Sequence, residues 1–93
     1  MGFDLYGVRN GVFSCNVHNF RPLWLLVSNI CNFTNEQFER GCFNEYDQFS
    51  KIECDHIIAC LDVYLKENIG PDPNHHLLMF YCFVKDSDGF AIG

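Results

Sequence analysis

Positive charge is scarce in this chain: six Lys and Arg stand against twelve Asp and Glu, a formal charge of −6. With no basic stripe to neutralise phosphates, a nonspecific nucleic-acid binder is excluded and no direct nucleic-acid contact is expected. Long apolar runs are missing too, and none approaches the ~20 residues that cross a bilayer, so no membrane partner is expected. Neither a Gly-rich phosphate loop nor a dinucleotide fingerprint occurs. Repeats, heptad arrays and low-complexity tracts are absent as well. The opening Met-Gly-Phe-Asp-Leu-Tyr-Gly carries no basic n-region and meets Asp4 at once. It therefore predicts no secretory signal and a cytoplasmic location.

What is present is apolar and aromatic. The 93 residues are 48% hydrophobic and 16% aromatic, with ten Phe. That is too apolar for a disordered chain and enough for one compact domain over 1–93. Ten Phe are many for so small a core, and a homodimer would cover a surplus. Six cysteines occur, and Cys31, Cys60 and Cys82 lie in strongly apolar stretches. There a free cysteine is a small buried hydrophobe, which fits a reducing compartment; disulfides or a metal are the alternatives.

Local signals predict a mainly α domain, a small bundle of three to four helices behind an extended or short-hairpin N-terminal segment, with α+β as the alternative. Asn10-Gly11 is a turn signal, and Leu5–Val8 and Val12–Val17 would be the hairpin arms. A first helix is expected from Arg21-Pro22, with proline at the first helical position, to about Asn32. Thr34-Asn35-Glu36-Gln37 reads as a capping box opening a short helix that Arg40-Gly41 stops. The stretch from Cys42 to Gln48 reads as either a loop with anchoring aromatics or a further helical turn. Ser50-Lys51-Ile52-Glu53 is a second capping box, opening an amphipathic helix to about Asn68 that Gly70-Pro71 ends. A rigid linker over 70–74 leads to Asn74, the expected cap of a last helix, for which a strand is the alternative. Ser87-Asp88-Gly89 then turns the chain so that Phe90 and Ile92 fold back on the core.

Three segments, Phe3-Asp4-Leu5-Tyr6-Gly7, Phe20-Arg21-Pro22-Leu23-Trp24 and Ser87-Asp88-Gly89-Phe90-Ala91-Ile92, bracket nearly the whole chain. In this order they resemble a family of small phage- and prophage-encoded bacterial proteins. The family usually has more Trp before the Arg-Pro pair and an Asn-Asp-Gly turn before the amphipathic helix. Here Val17-His18-Asn19-Phe20 and Asn44-Glu45-Tyr46 stand at those places. The resemblance implies a mostly helical cytoplasmic protein of a bacterial cell or phage-infected host, and it transfers no catalytic residue.

Chemistry finds little purchase in the sequence. Cys15 and His18 have the spacing of half a zinc site, and Cys54 and His56 are the other candidate ligands, although residues two apart diverge on a helix. Cys54, near an expected helix start, is the candidate nucleophile for a Cys–His enzyme. The carboxylate groups Glu36/Glu39/Glu45, Glu53/Asp55 and Asp86/Asp88 read as solvated surface charge. Binding is the better-supported expectation. Phe43, Glu45, Tyr46, Asp47 and Phe49 interleave aromatics with acids, as interface hot spots do. The reading is a non-catalytic, acidic protein-binding accessory protein, without cofactor, whose partner is a basic host protein. The alternative is a small zinc domain or enzyme built on the Cys/His set.

Overall fold

A computed structural model describes residues 2–43, 45, 47–67 and 75–93. Among them the chain forms β1 (Gly2–Gly7), β2 (Val12–Asn16), α1 (Val17–Cys31), α2 (Asn35–Arg40), β3 (Asp47–Phe49), α3 (Lys51–Glu67), α4 (His75–Ser87) and β4 (Phe90–Ile92). The strands make one antiparallel sheet in the order β2-β1-β4-β3. The fold is therefore α+β, the alternative read from sequence: four helices form among the described residues, as expected, but with a four-stranded sheet rather than as a mainly helical bundle. The expected ends Asn68 and Gly70-Pro71, the 70–74 linker and the Asn74 cap lie outside the described residues, as do Asn44 and Tyr46.

The N-terminal hairpin forms, but its first arm begins three residues before the expected Leu5 and leaves out Val8, and Val17 of the expected second arm opens α1. Gly11 takes the left-handed conformation (φ 69°) that the turn requires, and the Gly7 amide donates to the Gly11 carbonyl at 2.8 Å. Alternation then sorts the sheet into two faces. Phe3, Leu5, Phe13, Cys15, Phe49, Phe90 and Ile92 are buried, while Tyr6, Val12, Ser14 and Gln48 are exposed. The register pairs like with like across strands, Leu5 with Phe13 and Ile92, and Phe49 with Phe90. Phe90 and Ile92 do return to the core, as expected, but as the inner strand β4 of the sheet. Three residues are too few to carry a legible period, and their pairing partners lie more than forty residues away in sequence for β3 and about eighty for β1.

Helix α1 begins five residues before the expected start. Asn16 caps it, its side chain accepting from the Asn19 amide at 3.0 Å, and Pro22 lies inside the helix. Proline there cannot donate to the His18 carbonyl one turn back, a cost that the buried face offsets. That face carries Phe20, Leu23, Trp24, Val27 and Cys31. Phe3 stacks on Phe20 at 4.4 Å between centroids, Phe20 on Trp24 at 5.7 Å, and Phe49 on Phe90 at 5.1 Å. Trp24 and Phe49 meet edge-to-face with centroids 5.5 Å apart, which joins the helix stack to the sheet stack. Seven of the ten Phe are buried, Phe33 and Phe38 are half-buried, and Phe43 alone is exposed. Little aromatic surplus is left for a dimer to cover. The final helix is helix, not strand, and Tyr81 on it donates its hydroxyl to Asp62 of α3.

Both capping boxes form, and they interlock. In the first, the Thr34 hydroxyl accepts from the Gln37 amide at 3.2 Å and the Gln37 side chain accepts from the Thr34 amide at 3.1 Å. In the second, Ser50 and Glu53 exchange the same bonds at 3.2 and 3.0 Å. Gln37 Nε2 then donates to Glu53 Oε2 at 3.0 Å, and Arg40 Nη1 to the same oxygen at 2.7 Å. Arg40 also reaches the Gln48 carbonyl at 3.1 Å and Glu36 at 2.8 Å, with its guanidinium 5.0 Å above the Phe49 ring. The short helix α2 is thus bolted to the N-terminus of α3 and to β3. Among the described residues, no helix is long and apolar enough to cross a membrane.

Candidate functional site

The two capping boxes fix one side of α2 and leave the other facing α1. Between them lies an open cleft of about 400 Å³ lined by Arg21, Trp24, Leu25, Phe38, Gly41, Cys42 and Phe43. Trp24 forms its floor, its indole N–H donating to the Phe38 carbonyl at 2.8 Å. Gly41 makes room for that indole: a Cβ at position 41 would sit 2.0 Å from the Trp24 ring. The helix stop expected from Arg40-Gly41 is therefore also the place where the chain passes close over Trp24. Leu25 and Phe43 flank the cleft with 53% and 56% of their surface exposed.

Charge is uneven around this apolar opening. Glu39 is exposed on α2 and acts on Cys42 of the cleft lining, Glu45 and Asp47 are exposed further along the chain, and Arg40 is occupied by Glu36 and Glu53. Arg21 stands on the α1 side. Cys42 lies between the two signs: burial pushes its thiol up, Glu39 pushes it further and Arg21 draws it back. The arrangement offers an apolar seat with one carboxylate, Glu39, on one side and one guanidinium, Arg21, on the other. Among the described residues, its lining brings no nucleophile and base together.

The interface residues expected from sequence divide. Phe43 is exposed at the cleft, and Glu45 and Asp47 are exposed beyond it. Tyr46 lies outside the described residues. Phe49 is corrected: it is 2% exposed and is a core ring between Phe90, Trp24 and the Arg40 guanidinium. Sequence spacing could not separate Phe43 from Phe49, because only the β3–β4 register shows which ring turns inward. Leu25 and Arg21 are site residues that the sequence does not single out: both stand off the apolar stripe of α1, but only the packing of α2 shows that they border a cleft.

The Cys/His set does not converge. Cys15 faces the core from β2, and burial pushes its thiol up. His18 sits in the first turn of α1. Cys54 is 2% exposed and lies 3.8 Å from the Ser87 hydroxyl, where burial raises its thiol against the opposing pull of Ser87 and the Gly89 amide. That is a packing cysteine, not the accessible nucleophile the helix start suggested. His56 points elsewhere, to the Cys31 carbonyl. Among the described residues, no group of three or more His, Cys, Asp or Glu is placed to hold a metal ion.

Glu53 departs furthest from the solvated carboxylate read from sequence. Burial alone would raise it, but bonds from the Ser50 amide, Gln37 and Arg40 outweigh that and hold it at about 2. Its charge is structural and fixes α2 beside the cleft. The chain matches no family model, no curated protein and no solved structure.

Proposed function

We propose that this chain is a non-catalytic protein-binding protein that docks a basic partner over the cleft between α1 and α2. The observation that carries this reading is the pair of half-exposed apolar side chains, Leu25 and Phe43, flanking a cleft floored by Trp24, with Glu39 acting on Cys42 of its lining and Glu45 and Asp47 exposed beyond it. An apolar anchor with a ring of polar residues that excludes water is how binding energy concentrates at interfaces. The charge of −6 adds long-range attraction for a positively charged surface. In this pose an apolar partner side chain enters the cleft, Lys or Arg residues beside it meet Glu39 and the exposed acids beyond it, and a carbonyl or carboxylate meets Arg21. The resemblance to phage- and prophage-encoded proteins supports an accessory role against a host nucleic-acid-binding or defence protein, whose basic groove such a surface would occupy.

Selection of a displayed library of random peptides on the purified protein tests the reading. Expected are peptides that place a bulky apolar residue next to Lys or Arg, whose enrichment is lost with Phe43→Lys or Leu25→Lys. Enrichment should persist with Ile52→Lys, a change at an exposed position on α3. Absence of enrichment, or enrichment indifferent to Phe43 and Leu25, would overturn it.

A further inference from the structure

Away from the cleft, α1 and α3 bring two thiols and one imidazole together. Cys31 is the last residue of α1, Cys60 lies within α3, and the Cys60 thiol is close enough to act on that of Cys31. His56, one turn before Cys60, places Nε2 3.0 Å from the Cys31 carbonyl oxygen and 3.6 Å from Cys60 Sγ. A carbonyl oxygen only accepts, so Nε2 carries the hydrogen here and directs it between that oxygen and the Cys60 sulfur. The Cys31 thiol turns inward toward the Ile57 carbonyl at 4.0 Å.

The two thiols differ in access. Cys31 is 1% exposed, whereas Cys60 is half-buried and reachable from solvent. Burial, then the neighbouring Cys60, pushes the Cys31 thiol up to about 12. An accessible sulfur beside an N–H donor, backed by a buried second sulfur, has the layout of an attacking thiol and its resolving partner.

We propose that Cys60 is a site of thiol–disulfide exchange with low-molecular-weight disulfides of the glutathione type, and that Cys31 resolves the adduct into an internal Cys31–Cys60 disulfide. In the first step the Cys60 sulfur attacks one sulfur of glutathione disulfide. That S–S bond breaks, a mixed disulfide forms on Cys60, and the departing glutathione takes the thiol proton. The His56 N–H faces the sulfur as charge builds on it. In the second step the Cys31 sulfur attacks the Cys60 sulfur, and the second glutathione leaves with the Cys31 proton. Two protein thiols lose two electrons in all, and one glutathione disulfide becomes two glutathione thiols. Burial of Cys31 makes the second step the slower one, so the adduct precedes the internal bond. The product ties the C-terminal turn of α1 to the middle of α3.

Reduced protein incubated with glutathione disulfide and mapped by non-reducing peptide mass spectrometry tests this. Expected are a transient adduct on Cys60, then a Cys31–Cys60 linkage, with the buried Cys15 and Cys54 unmodified. Cys82, exposed on α4, serves as a reference thiol that forms an adduct without resolving it. Cys31→Ala should leave the Cys60 adduct standing, and His56→Gln should slow Cys60 several-fold while Cys82 keeps its rate. An unresolved Cys60 adduct in the wild-type chain, or reaction at Cys82 with none at Cys60, would overturn the proposal. The wild-type map decides this even where a variant unfolds.

Discussion

The two sides of helix α2 are built on opposite principles. One side is closed by charge: Gln37 and Arg40 converge on Glu53, and Arg40 lies over the buried ring of Phe49. The other is left open: Phe38 and Gly41 border a cleft over Trp24 whose lips are Leu25 and Phe43. A six-residue helix has almost no stability of its own, so the closed side holds the open side in place. The contrast shows a small domain using its few hydrogen-bonded ion pairs to present apolar surface.

The comparison breaks most severely at Phe49. Phe49→Ala empties a site between Phe90, Trp24 and Arg40 and should cost about 3–5 kcal/mol by urea denaturation. Gly41→Ala comes next. Gly41 has φ −92°, ordinary for any residue, so the cost there is purely steric. The added Cβ would meet a rigid indole at 2.0 Å, and overpacking of that kind should cost about 1–3 kcal/mol. It should also shift the Trp24 fluorescence spectrum, which an effect of backbone conformation alone would not do.

Glu53→Ala tests the bolt itself. It removes one capping bond and the hydrogen bonds from Gln37 and Arg40, an expected loss of about 2 kcal/mol. The same group predicts an acid limb. Its folded-state value, about 2, lies below the ordinary 4.5, so the folded state binds this proton less readily than the unfolded chain does. The stabilisation is complete above about pH 4.5 and drains away as pH falls toward 2. Stability measured across that window should slope in the wild type and flatten in Glu53→Ala. An equal slope in both would locate the acid sensitivity elsewhere.

What could be read from sequence follows the range of each signal. Both capping boxes, the Gly41 stop and the Asn10-Gly11 turn rest on neighbours within four residues, and each appears at its place; the helical nature of 75–87 rests on the length of its apolar run. Strands β3 and β4 were illegible as strands because three residues have no measurable period and pair only with distant chain. The start of α1 went astray because Pro22 outweighed the better local signal, an Asn at 16 able to cap. At the site, His56 and Cys60 share a helix face by spacing alone, but Cys31 joins them only through packing of α1 on α3. Likewise Phe43 was legible as an aromatic among acids, while Trp24 beneath the cleft required the fold.

The mildest change tells the two sides of α2 apart most clearly. Phe43→Ala removes a ring that is already 56% exposed. Little burial is lost, so stability should move by no more than about 0.5 kcal/mol, as for surface positions generally. Phe49 lies six residues further along the same acidic segment, yet its truncation should cost many times more. Peptide binding should rank the two in reverse: Phe43→Ala abolishes enrichment of apolar–basic peptides while the protein stays folded. A folded Phe43→Ala that still selects those peptides would separate the cleft from binding, leaving α2 as a structural bolt and nothing more. A stability loss comparable to that of Phe49→Ala would instead mean that Phe43 completes the core over Trp24, and that the open side of α2 is closed in solution.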